Sequence, residues 1–116
     1  MKKVLVALAP GFEEIETITV VDILRRAGAR VVLAATVEGP RRLARGICLQ
    51  NNKRVKAIIQ NMHRSRKQVT AICAAPTILH SVGILKDTTA TSYPSVKDQL
   101  KVFIIPKSES WLTAIL

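Results

Sequence analysis

The sequence predicts an α/β fold of the doubly wound type, in which helices cover parallel strands. Only four of the 116 residues are aromatic while 48% are apolar, so the core must be built from Val, Ile, Leu and Ala, as in buried parallel sheets. The first 36 residues also follow a strand, helix, strand pattern, which implies a right-handed parallel crossover. We therefore expect one compact domain over residues 1–116.

The first half of the chain contains this β-α-β pattern. Lys3 to Ala9 is a short apolar run ended by a Pro-Gly pair, which predicts a buried strand. Apolar residues at helical spacing predict a helix over Glu13 to Arg26, ended by a glycine two residues later. Arg30 to Thr36 is a second strand rich in β-branched residues, and Leu43 to Leu49 is expected to form a short strand or hairpin arm.

The second half begins with an exposed amphipathic helix over Asn51 to Lys67, capped by Asn51 or Asn52. Pro76 lies in the first turn of a later helix, where proline is tolerated. The remaining predicted elements are a strand over Gln68–Ile72, a helix over Ala74–Val82, a strand over Thr88–Ser92, a short helix over Ser95–Leu100 and an apolar run over Lys101–Pro106.

Charge is unevenly distributed along the chain. The formal net charge is +10, and ten Lys and Arg residues but no acidic residue lie between Pro40 and Lys86. Such a surface attracts phosphate and raises a nucleic-acid hypothesis, which is weakened because aromatic stacking residues are nearly absent and no recognition motif occurs. No apolar run approaches the roughly 18–20 residues of a membrane span. We expect a cytoplasmic protein without a membrane partner.

Cys73, in Ala-Ile-Cys-Ala-Ala-Pro, is the main candidate for a catalytic residue. It follows a predicted buried strand and heads a predicted helix, at the turn where α/β folds display a nucleophile. Backbone N–H groups and the positive end of the helix would lower the pKa of its thiol. The alternative is a buried, inert thiol, because cysteine is among the most buried residue types. Both interpretations stay open on the pattern alone.

Glu16 is the candidate proton partner of Cys73. The turn after the first strand and the turn at Cys73 should both lie at the carboxyl edge of the sheet, where such folds bind ligands. The alternative is an exposed residue near a helix N-terminus, where acids are favoured. His63, His80 and Cys48 have no partner at metal or triad spacing, so we expect no metal site and no cofactor.

Four motifs in order resemble the ThiJ/PfpI superfamily, most closely its parkinsonism-associated protein deglycase branch. They are Gly-Phe-Glu-Glu-Ile-Glu-Thr, Val-Asp-Ile-Leu-Arg-Arg-Ala-Gly, Ala-Ile-Cys-Ala-Ala-Pro and Lys-Asp-Thr-Thr-Ala-Thr-Ser-Tyr-Pro. The resemblance runs from Met1 to about Leu49 and from about Lys53 to Leu100. It implies a flavodoxin-like three-layer sandwich with a parallel sheet, usually dimeric.

The resemblance also implies the site residues. It assigns the readily oxidised nucleophile to Cys73 and the paired carboxylate to Glu16. It further implies substrate contacts from Arg45, Ala74 and Tyr93, the last at a position where many members carry histidine. The activities implied are glutathione-independent glyoxalase, repair of early glycation adducts, peroxide scavenging or sensing, and chaperone action.

Two segments of the family pattern have no counterpart here. After Gln50 the family has an apolar strand ending in Leu-Pro-Gly-Gly, whose N–H groups line the pocket, and residues 101–116 diverge from the usual closing segment. We therefore expect an incomplete form of the sandwich. An open sheet edge is a further consequence, because the strands that flank the missing one lose a partner.

Three functions follow as hypotheses. The leading one is a glyoxalase or deglycase acting on 2-oxoaldehydes or glycated protein, with the protein as a homodimer. The second is a non-catalytic sensor of oxidation or a chaperone, and the third is a basic nucleic-acid-binding protein.

Overall fold

The described part of the computed structural model comprises residues 1–36, 49–86, 88–100, 103–104 and 114–115. These residues belong to two units, Met1–Asn51 and Asn52–Leu116, each with its own paired strands. We call them the first unit and the second unit.

The first unit contains the predicted β-α-β pattern. Strands β1 (Lys3–Leu8) and β2 (Arg30–Ala35) run parallel, and helix α1 (Glu14–Arg26) connects them. Acidic residues in the first turn of α1 and arginines in its last turn match the helix dipole. Gly28 follows at a φ of +80°, a left-handed conformation that costs glycine nothing because it lacks a Cβ. The three predicted elements are confirmed to within one residue at each end.

Few of the described residues of the first unit are buried. Val21 on α1, at 6% exposure, is the one fully buried residue in its described part. Large aliphatic side chains stay exposed on both strands and on the helix, among them Leu5, Ile15, Ile18, Ile23, Val32 and Leu33. Since full burial of such a side chain is worth about 1.5–3 kcal/mol, the described residues of this unit contribute little of the burial free energy.

Helix α2 (Lys53–Arg64) begins the second unit. The side chain of Asn52 accepts hydrogen bonds from the N–H groups of Arg54 and Val55 at 3.0 and 3.1 Å, so it is the N-cap. This confirms one of the two predicted caps. The helix is strongly amphipathic, yet none of its 12 residues is fully buried.

The second unit also holds the core. Strand β3 (Thr70–Ala71) contacts helix α3 (Pro76–Ser81), and Leu79 on that helix is only 1% exposed. Gly83 ends the helix at a φ of +80°, as its predicted terminator. The other buried apolar residues in the described part of this unit are Val69, Ala71, Pro76, Ile78, Ile84, Leu85, Ala90 and Leu100.

Three short strands complete the described pairings. Strand β4 (Thr89–Ala90) runs parallel to β5 (Phe103–Ile104), and β3 runs antiparallel to β6 (Ala114–Ile115). Helices and two parallel pairings confirm the α/β class. The β6 strand was not predicted, because the residues around it show no periodicity.

Several boundaries differ from the predictions. The helix after Cys73 begins at Pro76 rather than at Ala74, and a 3-10 helix over Pro94–Gln99 replaces the predicted helix over Ser95–Leu100. The arm predicted over Leu43–Leu49 lies outside the described residues, except for its last residue. No helix in the described part is long and apolar enough to cross a membrane.

Candidate active site around Cys73

Cys73 lies in the turn that joins β3 to α3. Its φ is +61°, in the left-handed region that side chains with a Cβ rarely adopt. That conformation costs a non-glycine residue about 1–2 kcal/mol. In other α/β folds, a sharp turn between a strand and a helix exposes a nucleophile at the edge of the sheet. The strained backbone at Cys73 is consistent with such a role.

The environment of the thiol differs from the prediction in one respect. Ala74 and Ala75 form a turn before α3, so Cys73 does not head the helix directly. The N–H of Ala75 donates to the carbonyl of Ile72 at 3.0 Å and is satisfied within the turn. The predicted placement of the thiol at the first residue of the helix is therefore not confirmed, because α3 begins three positions later and has only six residues.

Hydrogen bonds hold this turn from two sides. The N–H of Tyr93 donates to the carbonyl of Cys73 at 2.9 Å. The hydroxyl of Thr77 donates to the carbonyl of Ala74 at 2.7 Å, and the N–H of Thr77 donates to the same oxygen at 3.2 Å. The turn is thus tied both to the helix that follows it and to the segment before Pro94.

The residues that follow the Cys73 turn are buried, whereas Cys73 and Ala74 are at least partly exposed. Pro76, Thr77, Ile78 and Leu79 are all buried, and they anchor the helix in the core of the second unit. Cys73 itself is half-buried, so its surroundings are those of neither a core cysteine nor a fully solvated one. The residue after it, Ala74, is exposed in the described part of the chain.

Glu16 lies in the first turn of α1, in the first unit. It is half-buried, whereas the neighbouring acids Glu13 and Glu14 are exposed. Glu16 is therefore not the fully exposed helix residue that the alternative interpretation describes. Its pairing with Cys73, in the second unit, stays a prediction.

The other predicted site residues fall in different places. Tyr93 is 48% exposed, and its main chain bonds Cys73 as described above. Arg45 and Cys48 lie outside the described residues. His63 is exposed and His80 half-buried. Within the described ranges, no group of three His, Cys, Asp or Glu residues could hold a metal ion.

Thr77 was not identified from the sequence. A threonine in the first turn of a helix can donate its hydroxyl to the carbonyl three residues earlier, and Thr77 directly follows Pro76 in the motif after the cysteine. The position of Thr77, three residues after Ala74, was the sequence signal that could have predicted this hydrogen bond. What the spacing does not reveal is that the accepting carbonyl belongs to the residue next to the thiol.

The charged surface of the second unit is strongly basic. Between residues 49 and 86 the described chain has no acidic residue, and its Lys and Arg residues are Lys53, Arg54, Lys56, Arg64, Arg66, Lys67 and Lys86. The ion pair in the described part of the chain does not involve this surface. It lies in α1, where Arg26 Nε donates to Asp22 at 2.8 Å. This basic surface favours anionic partners in general.

An open cavity of about 280 Å³ lies on the first unit between α1 and β2. Neither Glu16 nor Cys73 is among its described lining residues, which are Thr17, Ile18, Val21, Asp22, Arg25 and Leu33.

Comparison with known proteins supports the motif resemblance. The model of the DJ-1/PfpI family matches residues 2–48 and 44–113. Protein dj-1beta of Drosophila melanogaster is 33% identical over 129 aligned positions, which cover 85% of this chain and 69% of that protein. Deglycase PH1704 of Pyrococcus horikoshii is 39% identical over 49 positions, 42% of this chain and 30% of that protein.

The solved structures agree. The crystal structure of Drosophila melanogaster DJ-1beta matches with a TM-score of 0.78 and 28% identity, over 92% of this chain and 75% of that one. This likeness confirms the predicted flavodoxin-like α/β class.

The comparisons also bear on the missing internal segment. The 129 positions aligned with dj-1beta include only about 99 residues of this chain, so about 30 positions of the relative have no counterpart. The family model likewise matches in two pieces, which overlap at residues 44–48. Both findings agree with the predicted absence of a strand and loop after Gln50.

Proposed function

Because the chain belongs to the DJ-1/PfpI family, we propose that it is a cysteine-dependent glyoxalase or deglycase that acts on 2-oxoaldehydes or their adducts. Cys73 is the nucleophile, and Glu16 moves the proton. The observation that carries this proposal is the left-handed φ of +61° at Cys73, in a turn between a strand and a helix.

The reaction needs no external oxidant or reductant. The thiolate of Cys73 adds to the aldehyde carbon of methylglyoxal, which gives a hemithioacetal. Glu16 removes the proton from that carbon and returns it to the neighbouring carbon, so the first carbon is oxidised as the second is reduced. Water then hydrolyses the resulting thioester, releasing lactate and restoring the thiol.

Two features of the second unit support this role for Cys73. Cys73 is half-buried rather than enclosed in the core, which is compatible with the approach of a three-carbon substrate. The backbone that carries it is anchored by hydrogen bonds and by buried residues of α3, so its position is defined. A positioned nucleophile and an open approach are both requirements of covalent catalysis.

We expect the pocket of this chain to be less complete than that of relatives that have the internal segment. The absent internal segment would supply backbone N–H donors to the developing oxyanion, and loss of one such donor typically slows catalysis by about 100- to 1,000-fold where it is used. We therefore expect turnover of methylglyoxal to be slower than in full-length family members, with the same dependence on the cysteine.

The test is methylglyoxal consumption by wild type, Cys73→Ser and Glu16→Ala, with lactate measured as the product. Cys73→Ser should fall to the rate without protein, and Glu16→Ala should lose about 100- to 10,000-fold, the usual contribution of a general acid–base. Glu14→Ala is the matched control, because Glu14 is an exposed acid in the same helical turn. Equal rates in wild type and both site variants would exclude this function.

The other hypotheses have less support. Among the relatives described above, the activity that a name states is that of a deglycase, so the sensor or chaperone role and the nucleic-acid role are not favoured. The proposal includes a homodimer in the cytoplasm. The exposed aliphatic residues of α1, Ile15 and Ile18, support a contact between copies. Light scattering after size-exclusion chromatography should give twice the monomer mass, and Ile18→Lys should lower it.

A further inference from the structure

Both peptide groups that flank Ala74 are fixed by hydrogen bonds. From this arrangement we propose that Thr77 and the main-chain N–H of Tyr93 are positioning groups that hold the Cys73 turn in its reactive conformation. They act through the backbone rather than by touching a substrate. The inference rests on the proposed function of Cys73 as a nucleophile, but it concerns the reactivity of the thiol and not turnover.

The first peptide group joins Cys73 to Ala74. Its carbonyl oxygen accepts the N–H of Tyr93 at 2.9 Å. In a trans peptide the carbonyl and the N–H lie in one plane and point in opposite directions. The bond from Tyr93 therefore fixes the direction of the Ala74 N–H as well, on the side of the peptide away from Tyr93.

The second peptide group joins Ala74 to Ala75. Its carbonyl accepts both the hydroxyl of Thr77 at 2.7 Å and the N–H of Thr77 at 3.2 Å, while its N–H donates to Ile72 at 3.0 Å. The shorter of the two bonds to this carbonyl comes from the side chain. Thr77 is 4% exposed and is the one polar side chain that is fully buried in the described part of the chain.

These bonds have a chemical consequence for the cysteine. The left-handed φ of Cys73 is unfavourable by itself, so it persists only while its surroundings hold it. The Ala74 N–H is the backbone donor directly after the thiol, and a donor held beside a sulfur favours the thiolate. Loss of either bond should free the turn and lower the thiolate fraction.

The first pair of variants isolates the Thr77 hydroxyl. Thr77→Val keeps the shape of the side chain without its donor, and Thr77→Ser keeps the donor. The readout is the rate of Cys73 alkylation by iodoacetamide from pH 5 to pH 10, followed by mass spectrometry of the Cys73 peptide. A hydrogen bond of this kind is worth roughly a factor of 2 to 12 in an equilibrium. We expect Thr77→Val to slow alkylation at pH 7 by that factor and to move the profile to higher pH, with Thr77→Ser close to wild type.

The second pair isolates the N–H of Tyr93. Its φ of −58° is compatible with proline, and in Tyr93→Pro the ring Cδ takes the place of the hydrogen, so the donor is lost and the Cys73 carbonyl is pushed away. Tyr93→Ala is the reference, because it lacks the ring and retains the N–H. Alkylation of Cys73 at pH 7 should be slower in Tyr93→Pro than in Tyr93→Ala by at least the roughly 2- to 12-fold expected from one lost hydrogen bond.

The inference is overturned if Thr77→Val and Tyr93→Pro, both folded by circular dichroism, are alkylated at pH 7 at the rates of Thr77→Ser and Tyr93→Ala. If Thr77→Val does not fold, the Tyr93 pair decides alone. Failure of the proposed function has a different signature: no variant, wild type included, would consume methylglyoxal, while the alkylation differences between paired variants would remain.

Discussion

Replacing Cys73 with glycine should stabilise the protein relative to replacing it with alanine. At an ordinary position glycine is less favourable than alanine by about 0.5–1 kcal/mol, because its unfolded chain has more freedom. At a φ of +61° alanine carries a steric cost of about 1–2 kcal/mol that glycine lacks. The two effects oppose each other, and the difference leaves Cys73→Gly more stable than Cys73→Ala by about 0.5–1 kcal/mol.

The matched control is Ala57→Gly, at an exposed position inside helix α2. There glycine has no conformational advantage, so this substitution should lower the free energy of unfolding by about 0.8–1 kcal/mol. Urea denaturation followed by circular dichroism measures all of these variants, and equal m-values would indicate that the extent of unfolding is unchanged. If Cys73→Gly is less stable than Cys73→Ala by the amount seen in the control, the turn at Cys73 is not left-handed in solution.

Three further predictions concern stability. Leu79→Ala should lower the free energy of unfolding by about 2–5 kcal/mol because the side chain is 1% exposed, whereas Ile58→Ala, at 44% exposure, should cost far less; similar urea midpoints would contradict this. Asn52→Ala should cost about 1 kcal/mol through loss of the α2 N-cap, with Asn52→Asp near wild type, and an unchanged melting temperature for the alanine variant would argue against the cap. Asp22→Asn should change stability by less than about 0.5 kcal/mol, since its ion pair with Arg26 is exposed, and a larger loss in low salt would show that this pair is underestimated.

The helices were predictable because their signals are local. Asn52 starts α2 through its own side chain, and Gly28 ends α1 through its own backbone, so neither depends on distant residues. Strands β3 and β4 each have only two paired residues. Their extent is set by strands that come from the end of the chain, and no pattern within either strand contains that information.

The candidate site likewise has a part that local sequence signals predict and a part that depends on distant residues. The position of Cys73 follows from a strand pattern before it and Pro76 after it, both of which are close in sequence. The residues that fix its turn do not follow in the same way. Tyr93 is 20 positions away, and it acts through a main-chain group that is the same in almost every residue type. Side-chain patterns therefore could not reveal that contact.

The absence of any fully buried residue in α2 has a consequence for how the second unit opens. Helices with little buried surface unfold locally at low free energy, while those that carry the core open only with the whole unit. The amides of α2 should thus exchange with deuterium long before those of α3, where Ile78 and Leu79 are buried. Helix α2 would then unfold and refold many times while α3, the helix that follows Cys73, stays folded.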